Sequence, residues 1–396
     1  MVMAKPLRVL TCLHSLQAGG VERDVLRFTK AWREHGIDAR IALGRWQGEL
    51  IAEAPDVPYL RLSGERTTAR FETWRMIAEL PAIIRRFRPD VLLLASNNHA
   101  AVGLAMRLLL GRRCPPIVLR VSMDLMRIDL HPIADWIDKW AFRCYSWTFA
   151  RFVAMAAPVQ AQIVAHLAVP PGRVVTIPNG SMTTAQLENI AATRDVTARN
   201  YAGRVYLGIG RLASQKNFTL LIDAFAAIAK ANDRLLIIGE GEERVSLESH
   251  VGQLGLSAQV EMPGHSLEIA DWLARANVFV LSSDFEGLGN VVVEALAAGL
   301  PIVATHCCAA MPMLTQNAGR LVPIRDAAAL ASAMDSVLDD PIDVDAMRAR
   351  AAQFTTEATT DRWASLFHAL ARVHRVDRLD EAATAASMHD PRTLER

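Results

Sequence analysis

Residues 278–305 read VFVLSSDFEGLGNVVVEALAAGLPIVAT. Four apolar residues followed by Ser282 form a run of strand length. Gly287 and Gly289 then open a turn, Asn290 suits a helix N-cap, residues 294–298 favour helix, Gly299 stops it and Pro301 forbids its return. Val291, Val292 and Val293 favour strand taken alone, but a glycine-bounded segment directly after a strand reads as helix. Residues 301–305 supply a second apolar run. Buried strand, glycine-rich loop, helix and buried strand make one unit of a parallel sheet covered by helices. The unit sets Glu286 on the loop and Glu294 one turn into the helix.

The same alternation extends in both directions. Apolar runs at 205–210, 234–239 and 260–262 precede the quoted stretch, with helical patterns at 218–232, 243–254 and 268–276. In the first half, runs at 7–13, 38–43, 90–95, 116–121, 152–156 and 174–177 repeat the strand pattern, and 21–35 reads as a helix stopped by Gly36. Residues 181–203 are polar and weakly periodic and read as a linker. The expected fold class is therefore α/β, two doubly wound parallel-sheet domains facing a cleft. The expected division is 1–180, linker 181–203, second domain 204–354, terminal helix 355–375 and a mobile tail 376–396.

A length of 396 residues agrees with two cores. Five scattered cysteines, with Cys307 and Cys308 adjacent, show no metal-ligand spacing and suit reduced thiols. The start, MVMAKPLRVLTCLHSL, lacks the pattern of a secretory leader, and no segment has the roughly 20 apolar residues of a membrane span. A cytoplasmic setting is expected. The near-neutral total hides an asymmetry: residues 1–200 hold 26 basic against 17 acidic side chains, and the remainder 17 against 25. Basic residues gather at 65–90, where Phe71, Trp74, Ile77 and Leu80 could share a helical face beside Arg66, Arg70, Arg75, Arg85 and Arg86. Such a helix either rests on an anionic membrane or is an ordinary amphipathic helix with a solvated face. Aromatics at helical spacing in 134–152 read as core. The dispersed charge, with no stacking motif, argues against nucleic acid.

Ligands in doubly wound sheets lie beyond the carboxyl ends of the strands. The loop after 205–210 is RLASQKN, which places Arg211 at the strand end and Lys216 just before a helix, a fit for a diphosphate. Gly239 and Gly241, after the next strand, leave room for a ligand to approach the backbone. Glu286 and Glu294 could each accept hydrogen bonds from a polyol. Two polyols joined by a diphosphate describe a nucleotide sugar.

GIGRLASQKN, IIGEGEE, MPGH, the quoted stretch and NAGRLVP together resemble the retaining nucleotide-sugar glycosyltransferases of glycosyltransferase family four, with the GT-B fold. The first half adds AGGVER at 18–23 and IPNG at 177–180. The resemblance implies that Arg211 and Lys216 hold the donor diphosphate, Glu294 the ribose, and Glu286 hydroxyls of the transferred sugar. It extends the donor site to Gly19, Gly20, Gly264, His265, Gly287, Leu288, Gly289 and Asn290, with Gly20 facing the diphosphate or acceptor from the opposite domain. It implies a terminal helix crossing back to the first domain. It also implies a UDP- or GDP-linked hexose as co-substrate, no separate cofactor, and a saccharide or lipid-linked acceptor of envelope polysaccharide, lipopolysaccharide or glycolipid synthesis at the inner membrane face. His99, in SNNHAAVG, is expected in the cleft as a catalytic-side group, with Ser122 and Asp124 as acceptor-side candidates.

HCCAAMPML at 306–314 replaces the family's glycine-rich segment and glutamate, and Ser181-Met182 stands where an Asp usually follows the Asn-Gly. Asp343-Val344-Asp345 reads as a helix cap, so no metal site is expected. A dehydrogenase is disfavoured because LQAGGVER lacks the Gly-x-Gly-x-x-Gly spacing. A GT-B epimerase or a non-catalytic sugar-nucleotide binder is the closer alternative.

Overall fold

The computed structural model describes residues 5–17, 19–52, 54–62, 72–122, 147–196 and 202–387. Its apolar runs form two sheets in which every pairing is parallel. In the first lobe, β1 (Arg8–Leu13), β2 (Asp38–Leu43), β3 (Tyr59–Arg61), β4 (Val91–Leu94), β5 (Ile117–Val121), β6 (Arg151–Ala154) and β7 (Val174–Thr176) lie in the order β3-β2-β1-β4-β5-β6-β7. In the second, β8 (Val205–Ile209), β9 (Arg234–Ile238), β10 (Val260–Gly264), β11 (Val278–Leu281), β12 (Ile302–Thr305) and β13 (Gly319–Val322) lie in the order β10-β9-β8-β11-β12-β13. Every residue of β4, β5, β11 and β12 is buried, as expected for strands covered by helices on both faces. The winding reverses between β1 and β4 and between β8 and β11. At each reversal the following loops diverge and leave a crevice.

The chain passes between the lobes twice, and the two passages lie side by side. Ser181 N–H donates to Phe354 O at 2.8 Å and Thr356 N–H to Met182 O at 2.8 Å. The final helix, Thr356–Ser387, then lies on the first lobe, where Trp363 and Phe367 pack on Trp32 at centroid distances of 5.6 and 5.0 Å.

Three features go beyond the sequence expectations. Within the supposed linker, Thr184–Val196 is a helix, docked on the second lobe by Arg194, whose Nη1 donates to the carbonyls of Leu273, Ala274 and Ala276. Those oxygens close the helix Ile269–Arg275, where a cation is favoured. The terminal helix continues to Ser387, past the expected end at Arg375. In the helix Glu72–Phe87, Leu80 is fully buried and Ile77 packs on the core, so these residues point inward, while Trp74, 70% exposed, reaches solvent. Arg66, Arg70 and Phe71 lie outside the described residues, as does most of 134–152; Phe149 and Phe152 of that stretch are buried. The short strands β3 and β13 have no counterpart among the apolar runs expected from the sequence. Asp343 does cap its helix, accepting from Ala346 N–H at 2.9 Å.

Candidate active site at the facing strand ends

On the second lobe, the loops after β8 and β11 meet at the sheet reversal. Lys216 Nζ donates to Glu286 Oε1 at 2.5 Å, and Ser283 Oγ donates to the same oxygen at 2.8 Å. The surrounding loop is pinned from several sides. Thr305 Oγ1 donates to Ser283 O at 2.6 Å, Glu286 N–H to Cys307 O at 3.1 Å, and Gln215 Nε2 to Phe285 O at 2.8 Å. Cys307 thus supplies a backbone acceptor from the segment where the family pattern is lost. Arg211 is exposed in the loop after β8. Its charge acts on Glu22, at the start of the helix Gly20–Glu34 in the first lobe. Burial raises the Glu22 carboxyl above its ordinary value, against the pull of its own backbone N–H and of Arg211.

Glu294 lies four residues into the helix Asn290–Ala297. Burial pushes its carboxyl up to about 7, opposed by Arg27 and Arg23 of the first lobe. A cavity of about 970 Å³ opens between the lobes beside it, lined by Arg23, Arg27, Lys30, Asn189 and Leu267 among others; Arg211 and Lys216 do not line it. Arg23 Nη2 also lies 3.3 Å from His265 Nε2.

Several expected site residues take other roles. Gly239 has φ 148° and an added Cβ would lie 1.9 Å from Gly210 O; at Gly241 it would lie 2.3 Å from Leu212 O. Both glycines therefore permit close packing of the loop on its own neighbour. Gly264 faces Glu240 in the same way, at 2.9 Å. At Gly20 an added Cβ would make ordinary contact with Asn290, and at Gly19 it would meet the Glu22 carboxylate. Leu288 is buried in the core, so only its backbone can face the crevice. Gly289, not Asn290, is the helix N-cap, and the Asn290 side chain reaches the first lobe.

On the first lobe, His99 is not open to the cleft. It is buried under His14, ring centroids 4.2 Å apart, and burial together with His14 pushes it down to about 3, so it is neutral. The half-exposed member of the stack is His14, at the end of β1. Ser122 is buried, and its carbonyl abuts Gly287, where a Cβ would stand 2.0 Å away. Asp124 lies outside the described residues.

Comparison with known proteins agrees with this fold. Residues 18–183 match the model described as Glycosyltransferase Family 4, and residues 189–354 match that described as Glycosyl transferases group 1. Together the two models take in both lobes. The chain belongs to the GT-B glycosyltransferases. Relatives of this chain include a lipopolysaccharide core biosynthesis glycosyltransferase of Rhizobium meliloti, 33% identical over 41% of this chain and 49% of that protein. An uncharacterized glycosyltransferase of Methanocaldococcus jannaschii is 26% identical over 60% of each. The chain thus spans between half and three fifths of these relatives. Among solved structures, Anabaena HepE in complex with UDP and glucose superposes with a TM-score of 0.73 at 17% identity, over 92% of this chain and 100% of that one. That likeness is one of fold.

Sequence reasoning misses four groups that the fold brings to the crevice: Arg23 and Arg27 opposite Glu294, Asp24 beside Asn290, and His14 above His99. Arg23 stands in AGGVER, directly after the first strand-end loop. Its position there is a usable clue.

Proposed function

We propose that the chain transfers a hexose from a UDP- or GDP-linked donor, with retention of configuration, to a saccharide or lipid-linked acceptor of envelope polysaccharide or glycolipid synthesis. The observation that carries this reading is the meeting of Lys216 and Glu286 at the sheet reversal, with Arg211 in the loop after β8 and Glu294 on the helix that follows Glu286. In the free protein, Glu286 holds the ammonium of Lys216 and the hydroxyl of Ser283. On donor binding, Lys216 turns to the diphosphate and sugar hydroxyls take over its place on Glu286. Arg211 and Lys216 then neutralise the negative charge that develops on the leaving diphosphate as the glycosidic bond breaks. Glu294, as a carboxylate, accepts from the ribose hydroxyls. An oxygen of the departing phosphate takes the acceptor proton on the face where the new bond forms, so both reactions occur on one side of the ring. This route draws its charge compensation from side chains and asks for no metal.

The names of relatives in lipopolysaccharide and amylovoran biosynthesis, and the UDP and glucose held by the Anabaena structure, support the donor and acceptor classes. Among the described residues no helix is long and apolar enough to cross a membrane. A peripheral contact with anionic lipid is supported by exposed Trp74, Leu108 and Leu109, with Arg85 and Arg86 exposed on the helix that carries Trp74. Vesicle co-sedimentation with the Arg85→Glu/Arg86→Glu variant tests that contact; equal partitioning refutes it.

The transfer itself is tested by incubating purified protein with UDP- and GDP-hexoses and candidate acceptors. Acceptor-dependent release of nucleoside diphosphate and an axial or equatorial anomer matching the donor are expected. Inversion at the anomeric carbon refutes the mechanism, and release without an acceptor product refutes the transferase reading.

A further inference from the structure

The first lobe presents a closed ring of hydrogen bonds around one side chain of the second. Arg120, on β5, is 2% exposed and Asp24 1%. Arg120 Nη2 donates to Asp24 Oδ2 and to Asn179 Oδ1, each at 2.5 Å. From the other side, Asn290 Nδ2 donates to Asp24 Oδ1 at 3.3 Å, while Asn290 Oδ1 accepts from Asn179 Nδ2 at 2.9 Å and from Ser181 Oγ at 3.0 Å. The orientation of the amide is fixed by chemistry: its oxygen faces two donors and its nitrogen faces a carboxylate. An ionised aspartate at 290 could not donate to Asp24, and an apolar residue would leave the socket unsatisfied.

A buried ion pair is a poor source of stability, because desolvation of both charges offsets their attraction. Its presence at a lobe boundary fits a different task. Asn290 lies four residues after Glu286 and four before Glu294, at the midpoint of the segment that carries both carboxylates. Gly287 meets Ser122 O in the same segment, so close that a Cβ would stand at 2.0 Å. The first lobe therefore grips this segment at two points.

We propose that Asn290 and its socket of Asp24, Arg120, Asn179 and Ser181 are positioning residues for glycosyl transfer: they seat the Glu286-to-Glu294 segment on the first lobe and set the lobe separation at which first-lobe groups reach the donor sugar. The inference rests on the transferase reading for its kinetic consequence, but not for its structural one. Donor affinity comes chiefly from Arg211, Lys216 and Glu294 on the second lobe, so loosening the seat acts on kcat more than on donor binding.

The test uses Asn290→Ala, Asn290→Asp and the swap Asp24→Asn/Asn290→Asp in the full chain. Asn290→Asp sets two carboxylates face to face. It should raise the radius of gyration measured by small-angle X-ray scattering and lower kcat about tenfold or more, with donor Kd by titration calorimetry changed by less than about threefold. Asn290→Ala should move both in the same direction by less. The swap restores a donor opposite an acceptor but leaves Arg120 facing an amide, so it should recover compactness and kcat in part relative to Asn290→Asp, which a merely structural role within one lobe would not produce. Wild-type scattering and kcat in Asn290→Asp overturn the proposal. If no nucleotide sugar is turned over by the wild-type chain, the transferase reading fails, and the scattering of the three variants still decides the seat.

Discussion

Replacing Glu294 by glutamine separates the demands of folding from those of ligand binding. The carboxyl is raised from 4.5 to about 7, mainly by burial. Its folded-state pKa exceeds the unfolded one, so the native state holds the proton more tightly. Stability is therefore unaffected by this group well below pH 4.5, falls as the pH rises from there through about 7, and carries the full cost above. At about 1.4 kcal/mol per pKa unit the cost approaches about 3 kcal/mol, and partial exposure with solvent screening reduces it to about 1–2 kcal/mol. Glu294→Gln removes it. Thermal unfolding followed by fluorimetry from pH 4.5 to 8.5 should show the variant melting higher than wild type at pH 8.5, by about 2–4 °C, with the two converging near pH 4.5. The same variant should bind nucleoside diphosphate about tenfold more weakly at pH 8.5, because a neutral amide is a poorer acceptor for ribose hydroxyls than a carboxylate. Parallel melting curves across the range would refute the account of Glu294 as a carboxylate held at a cost for its ligand.

Lys216→Ala should abolish transfer and weaken nucleoside diphosphate binding at least about tenfold, with far-ultraviolet circular dichroism unchanged; wild-type turnover would remove Lys216 from the mechanism. Glu22→Gln deletes a carboxylate that faces Arg211 and should tighten diphosphate binding, read by titration calorimetry; weaker binding would assign Glu22 to the ligand instead. Trp363→Ala empties a fully buried position against Trp32 and Phe28 and should cost about 3–5 kcal/mol, lowering the melting temperature of the first lobe. A shift of less than about 1 °C would deny that the terminal helix is an integral part of that lobe.

How much the sequence discloses depends on which interactions are local. Buried parallel strands such as β8 and β11 are continuous apolar runs, and each is followed at once by its loop, so the residue order alone places Arg211, Lys216 and Glu286 at strand ends. The strand β3 is only three residues long and partly exposed, leaving no run to recognise. Thr184–Val196 reads as a linker because its alanine, threonine and polar residues show little amphipathic contrast; what holds it is Arg194 reaching carbonyls some 80 residues away in sequence. His99 and Asn290 fail differently. Each falls on the expected loop, but the partner that decides its role, His14 or Asp24, lies on another element. The contacts of Asn290 cross between lobes, and nothing in its neighbours announces them.

The central claim is that the second-lobe strand ends hold a nucleoside diphosphate sugar through Arg211 and Lys216. Titration calorimetry of the wild-type chain and Arg211→Ala/Lys216→Ala against UDP- and GDP-hexoses tests it most directly. The account predicts saturable binding of one nucleotide class by the wild type and its loss in the double variant. Equal affinity in the two proteins, or no binding of either class by the wild type, would contradict it.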